Sequence, residues 1–158
     1  MKKIICKLQR FVKSNILSVP ALFFLCVMLS ACGSSKPDPA LEQYRTDMTN
    51  FSNTVASLSQ AINSIDPSSP DAPAAFLNEL DQMNTAFRNM SNLTVPADYS
   101  EAGTMAYEAA AYMNDAVSLY HEAYGENGYN ESYAEQAQTQ YQSAMDRVAS
   151  IGQYFMEH

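Results

Sequence analysis

The sequence predicts an all-α protein, a four-helix bundle whose helices run up-down-up-down in antiparallel order. Three observations lead to this prediction. Apolar residues recur at alternating intervals of three and four in four long segments, and this spacing places them on one face of a helix. Proline and glycine, which interrupt helices, occur between the segments. No segment alternates apolar and polar residues with the period of two that a half-buried strand requires.

The first predicted helix, residues 39–65, has the most regular pattern. Asp38 can cap its N-terminus, and Pro39 suits the first helical position. The segment DPSSP follows and ends the helix, because a proline disfavours the helical conformation of the residue before it. We expect Phe51 and Leu58 to be buried, as members of a seam formed by Leu41, Tyr44, Met48, Phe51, Val55, Leu58, Ile62 and Ile65.

Three more helices are predicted, at residues 70–93, 97–124 and 130–157. The second has a bulky apolar seam, whereas the third and fourth have seams rich in alanine, which lets those two backbones approach closely. The seam residues are Phe76, Leu80, Met83, Phe87 and Met90 on the second helix; Ala102, Met105, Ala109, Tyr112 or Met113, Ala116, Leu119 or Tyr120, and Ala123 on the third; and Ala134, Ala137, Tyr141, Ala144, Val148, Ile151 and Phe155 on the fourth.

Capping signals and short connections support these boundaries. The GENG segment at residues 125–128 is the strongest helix break, and short loops make consecutive helices antiparallel neighbours. The alternative is a three-helix arrangement in which the segment around Pro96 only kinks a longer helix. The expected caps are Ser69 before Pro70, Asp98 paired with Glu101, and Ser132 paired with Glu135.

Residues 1–31 are expected to be a signal peptide that is removed. The apolar run from Ile16 to Leu29 is about fourteen residues long, too short to cross the roughly 30 Å core of a bilayer as a helix. Basic residues before such a run and small residues after it are typical of a secretory leader. A permanent N-terminal membrane helix is the alternative, since the run extended to Ala31 reaches about sixteen residues. The basic residues are Lys2, Lys3, Lys7, Arg10 and Lys13.

The end of this segment, Leu29-Ser30-Ala31-Cys32, resembles the lipobox of bacterial lipoproteins, in which an aliphatic residue and two small residues precede a cysteine. The resemblance implies that a diacylglyceryl group joins the Cys32 sulfur and that cleavage leaves Cys32 as the mature N-terminus. It also implies export and lipid anchoring to the outer face of a bacterial membrane, either the cell membrane or the outer membrane. Residues 32–39 are then the lipidated cysteine with a flexible tether, and residues 40–158 are the helical domain.

Removal of the leader changes both the thiol content and the charge. Cys6 and Cys26 leave with it, so the domain keeps no thiol beyond Cys32 for a disulfide, a zinc site or a nucleophile. Four basic residues then stand against all 17 acidic residues, which gives a formal charge of −13. This charge repels phosphate backbones and anionic headgroups, so nucleic-acid binding is excluded and a partner is expected to be neutral or cationic.

The remaining polar residues predict no cofactor, no metal and no catalytic group. A di-iron bundle needs Glu three residues before His, whereas Ser118 precedes His121 at that spacing and Phe155 precedes His158. Four carboxylates recur every seven residues on the third helix, but they stand about 10 Å apart along it, too far for a shared metal or proton. They are expected to form a solvated acidic stripe, made of Glu101, Glu108, Asp115 and Glu122.

Tyrosine is the unusual component, with ten Tyr and no Trp in the chain. Tyr120, Tyr124, Tyr129 and Tyr133 bracket the GENG turn, so they gather with His121 at one end of the bundle. These rings either close the bundle end as half-buried packing or form a recognition surface, because Tyr is enriched where proteins meet partners. We predict a non-enzymatic binding or interaction module of the cell envelope. A structural spacer lipoprotein is the alternative, and an enzyme is less favoured.

Overall fold

Four α-helices make up the part of the chain that this computed structural model describes, residues 38–125 and 128–158. They are α1 (Pro39–Asn63), α2 (Ala72–Ser91), α3 (Ser100–Ala123) and α4 (Glu131–Glu157), and a short 3-10 turn, Ala97–Tyr99, precedes α3. Those two ranges contain no strand. The expected signal peptide and Cys32 lie outside the described residues. The prediction of an all-α fold with four helices is confirmed.

The start of α1 agrees with the prediction from its capping residues. The Asp38 carboxylate accepts a hydrogen bond from the backbone N–H of Ala40 at 3.0 Å, which satisfies one of the free donors at the helix start. Pro39 occupies the first helical position, where its missing N–H costs nothing. α1 ends at Asn63, two residues before the predicted limit.

α2 begins at Ala72, two residues later than predicted. The chain before it forms a turn in which the Asp66 carboxylate accepts hydrogen bonds from the hydroxyl of Ser68 (2.7 Å) and from its amide (2.9 Å). These bonds lower the pKa of Asp66, and the hydroxyl bond contributes most. The amide of Ala72 donates to the carbonyl of Ser69 at 3.2 Å, so Ser69 and Pro70 belong to the turn rather than to the helix start.

The two capping boxes expected for α3 and α4 are not formed. Asp98 lies in the 3-10 turn, and no side chain caps α3. The backbone carbonyl of Asp98 accepts a hydrogen bond from the Tyr154 hydroxyl at 3.1 Å. At α4 the Asn130 side chain accepts hydrogen bonds from the amides of Ser132 (3.1 Å) and Tyr133 (3.4 Å). Asn130 has the extended backbone that a capping residue needs, so it caps α4 and Ser132 lies inside the first turn.

Helices that are consecutive in the chain pack against each other, α1 on α2, α2 on α3, and α3 on α4. All five seam residues of α2 are buried, and Phe87 meets Phe51 of α1 edge to face with 5.1 Å between ring centroids. α3 and α4 make the most extensive backbone contact, as the alanine residues of their seams predict. Side chains also join α1 to α4, since the Tyr44 and Phe155 ring centroids lie 5.5 Å apart. These contacts make the fold a helical bundle.

Burial differs from the prediction at a few positions. Phe51 is buried as expected, but Leu58 is only half-buried and packs against the core from its edge. Its neighbours Val55 and Ile62 take the fully covered positions on either side of it. α3 buries more residues than its predicted seam contains, because it packs against both α2 and α4. The additional buried residues are Ala106, Ala110 and Val117.

The segment around Pro96 joins two separate helices. α2 ends at Ser91, α3 begins at Ser100, and the two pack against each other. The alternative of a three-helix arrangement with a kink at this point is therefore wrong. Within residues 38–125 and 128–158, no helix combines the length and the apolar character needed to cross a membrane.

Candidate recognition surface

Three elements meet around the tyrosines that bracket the GENG turn: the start of α2, the end of α3 and the start of α4. Phe76 of α2 packs edge to face on Tyr120, with ring centroids 5.2 Å apart, and lies 5.9 Å from Tyr124. Tyr124 in turn contacts Tyr129 at 5.3 Å. The structure thus brings three of the four predicted tyrosines together, and we call this end of the bundle the tyrosine end. Phe76 completes the ring cluster, although the sequence indicated it only as a core residue.

Burial divides the four tyrosines into core and surface. Tyr120 is 3% exposed and belongs to the core, so its ring is not available to a partner. Tyr124 and Tyr129 are half-buried, and Tyr133 is 39% exposed on the first turn of α4. The ring contacts in the described part of the chain do not include Tyr133. The accessible rings at this end are therefore those of Tyr124 and Tyr129, which contact each other, and that of Tyr133.

The ring cluster is apolar enough to change the acidity of its hydroxyl groups. Burial is the main cause that raises the pKa of Tyr120, and the nearby hydroxyls of Tyr141, Tyr124 and Tyr129 add to it. Burial also raises the pKa of Tyr124, with a smaller effect from Tyr129. Both hydroxyls are neutral over the physiological range, as an ordinary tyrosine with a pKa of 10.0 also is, so Tyr124 can offer a ring face and an uncharged hydroxyl to a partner.

His121 lies beside the cluster but faces outward. Its Nε2 is 2.8 Å from a carboxylate oxygen of Asp81 on α2, and both side chains are about half exposed, at 48% and 55%. About one helical turn further along α2, the side-chain amide of Asn84 donates a hydrogen bond to the side-chain oxygen of Asn114 on α3 at 3.3 Å. These two polar pairs connect α2 to α3. Spacing along one helix could not indicate the pairing of His121 with Asp81, because the two residues are 40 positions apart.

The acidic stripe of α3 is not uniformly solvated. Glu108 forms an ion pair with Arg147 of α4 at 3.0 Å, whereas Glu101, Asp115 and Glu122 are exposed. No Lys or Arg occurs between Arg88 and Arg147, so the exposed acids near the tyrosine end have no basic side chain on α3 or on the first half of α4. The field at this end is therefore negative.

The described residues contain no group of three or more His, Cys, Asp or Glu side chains placed to hold a metal ion. The chemistry that the surface can offer is therefore aromatic stacking, hydrogen bonds from tyrosine hydroxyls and attraction of positive charge. No family model, curated protein or solved structure matches this chain.

Proposed function

We propose that this chain is a bacterial lipoprotein, anchored at Cys32, whose helical domain acts as a non-enzymatic binding or interaction module at the cell envelope. The observation that carries the proposal is the accessible group Tyr124, Tyr129 and Tyr133 in a negative field. Rigid aromatic rings with polar tips bind partners at low entropic cost, and the surrounding acids favour a neutral or cationic partner. The lipobox-like sequence that ends at Cys32 supports localisation at the outer face of a membrane.

The proposed topology of the module is the up-down-up-down antiparallel bundle. Several contacts support it, each joining an early position on one helix to a late position on its neighbour. Phe76 at the start of α2 contacts Tyr120 at the end of α3, and the turn before α3 bonds to Tyr154 near the end of α4. Tyr44 near the start of α1 meets Phe155 near the end of α4, and Ser59, further along α1, bonds to Tyr141 in the first half of α4.

A structural spacer without a ligand is the second candidate. The burial of Tyr120 favours it, because a ring that closes the bundle end serves stability rather than recognition. The two functions differ in what the loss of accessible rings does: a spacer loses only packing, whereas a binding module loses a partner.

The test compares binding by the wild type and by a Tyr124→Ala/Tyr129→Ala variant. Neutral oligosaccharides, cationic peptides and envelope proteins are screened at low and at high salt. We expect at least a tenfold loss of affinity in the variant for the ligand that the wild type binds. We also expect weaker wild-type binding at high salt, since exposed charges are screened within about 8–10 Å.

The matched control is Tyr107→Ala, because Tyr107 is 71% exposed and lies on α3 away from the ring cluster. Its loss should leave binding unchanged. Helicity and melting temperature are measured for each variant, and Tyr124→Phe/Tyr129→Phe retains the packing if the alanine variant unfolds. Undiminished binding in folded variants of both kinds would mean that the binding site lies away from Tyr124 and Tyr129, and the absence of any ligand would favour the spacer function instead.

A further inference from the structure

We infer that the tyrosine end points away from the membrane, so that the accessible rings are presented at the far end of the domain from its anchor. This inference rests on the proposed lipid anchor at Cys32 and concerns the place of the recognition surface relative to that anchor. Three observations carry it: the point where the chain enters the bundle, the length of the helices, and the distribution of charge along them.

The chain enters the bundle at the end opposite the tyrosines. Asp38 caps α1, and six positions separate it from Cys32, a length of chain that reaches at most about 20 Å. Tyr44, near that start, packs against Phe155, and Phe155 stacks on Tyr99 with 5.3 Å between centroids. The first turns of α1 and α3 and the last turns of α4 therefore share one end, which we call the anchor end.

The helices set the distance between the two ends. α3 has 24 residues and runs from the anchor end, beside Tyr99, to the tyrosine end, beside Tyr124. At a rise of 1.5 Å per residue this corresponds to about 36 Å. Tyr133 lies on the first turn of α4, and Met156 lies on its last turn, so α4 spans the same distance in the opposite sense.

Charge is distributed unequally between the two ends. The basic residues of the described chain, Arg45, Arg88 and Arg147, lie on the first half of α1 and the second halves of α2 and α4, towards the anchor end. The anchor half also carries eight described acids, so its formal charge is −5, whereas the other half has eight described acids and no Lys or Arg, a formal charge of −8. The described acids of the other half are Asp66, Asp71, Glu79, Asp81, Asp115, Glu122, Glu131 and Glu135.

This asymmetry acts on a domain that the proposed lipid at Cys32 holds near an anionic leaflet. Repulsion between the acids and the headgroups begins within roughly one Debye length, about 8–10 Å. A domain that tilts until the tyrosine end approaches the surface brings its base-free half into that zone. A domain that stands on its anchor end keeps that half outside the zone. Geometry and charge therefore favour the same orientation, with the rings of Tyr124, Tyr129 and Tyr133 outermost.

The test places one fluorescent label at each end of α4 in the mature, lipidated protein, one label per variant. Ser132→Cys and Met156→Cys are matched sites, since both residues are exposed and lie about 36 Å apart on one helix. Each variant is labelled and reconstituted into phosphatidylglycerol vesicles that carry a quencher on the headgroup. We expect the label at position 156 to be quenched at least threefold more than the label at position 132. Equal quenching, or stronger quenching at position 132, overturns the inference.

Two controls separate this inference from the proposed function. Each labelled variant without residues 1–32, which lacks both the leader and Cys32, should not co-float with vesicles; if the lipidated chain does not float either, the lipid anchor fails and the orientation fails with it. If that chain floats but both labels are quenched alike, only the orientation fails. In phosphatidylcholine vesicles we expect the difference between the two labels to narrow, and a difference that does not depend on headgroup charge overturns the electrostatic part of the inference.

Discussion

Tyr44 combines near-complete burial with an unsatisfied hydroxyl group. Its side chain is 1% exposed, and the hydroxyl oxygen has no hydrogen-bond partner among the described residues. Burial of the hydroxyl raises its pKa. The ring itself is well placed, since it packs against Phe155. A buried donor that has lost its water without gaining a partner costs about 1–3 kcal/mol, so this residue is a local weakness at the anchor end.

Tyr44→Phe is expected to stabilise the domain by about 1 kcal/mol, because it removes the unsatisfied hydroxyl and keeps the ring. Urea unfolding followed by circular dichroism measures the change. The matched control is Tyr154→Phe, which removes a hydroxyl that donates to the Asp98 carbonyl and should be destabilising or neutral. A Tyr44→Phe variant that is less stable than the wild type would show that the hydroxyl has a partner in solution.

The tyrosine end shows how far single residues could be assigned from the sequence. The gathering of Tyr124 and Tyr129 is a local effect of one turn, so spacing predicted it. Burial of Tyr120 and the pairing of His121 with Asp81 depend on how α2 packs against α3. No spacing within one helix contains that information, because it is fixed by contacts between distant segments.

At the scale of elements, the helices were predictable, but only one of the four expected caps, Asp38 of α1, is formed. Seams with intervals of three and four are repeated many times along a helix, so a single exception does not hide them. A capping box consists of two residues, and short polar residues are common in this chain. At α4 the capping residue is Asn130. Its backbone N–H also donates a hydrogen bond to the backbone carbonyl of Ala123 at 2.8 Å. That bond ties the end of α3 to the start of α4, which the pair Ser132 and Glu135 could not indicate.

Asn130→Ala is expected to destabilise the domain by about 1 kcal/mol, since the side chain accepts hydrogen bonds from two amides of the first turn. Thermal unfolding followed at 222 nm measures the change. Ser132→Ala serves as the comparison and should have little effect, because Ser132 is exposed within the helix. A larger loss of stability for Ser132→Ala than for Asn130→Ala would restore the capping box predicted from the sequence.

At the scale of the whole molecule, each helix packs against the next one in the chain, and α3 is the helix with the most extensive contacts. It contacts α2 on one side and α4 on the other, and alanine at most of its buried positions lets both neighbours approach. The bulky residues that fill the remaining volume come from α1 and α2, as with Phe51 and Phe87. The sequence predicted this division between small and large seams, but not that α3 would be covered on two faces.

Buried tyrosine hydroxyls are spread through this bundle and link its stability to alkaline pH. Burial raises the pKa of Tyr44, Tyr120, Tyr124 and Tyr141 above the ordinary value of 10.0 for tyrosine. The folded state therefore holds these protons more tightly than the unfolded state does. Their contribution to stability is fully present below about pH 10 and is lost as the pH rises above that value, where the unfolded chain releases the protons first.

We therefore expect cooperative unfolding above about pH 10, because ionisation of the buried hydroxyls becomes possible only when the chain opens. Ellipticity at 222 nm reports helicity, and absorbance at 295 nm reports tyrosinate. The tyrosinate of Tyr44, Tyr120 and Tyr141 should appear in the same transition as the loss of helix. Tyr120→Phe removes the most strongly shifted of the hydroxyls and should move the alkaline midpoint upward. Complete ionisation of all ten tyrosines with helicity intact would contradict the burial of these side chains.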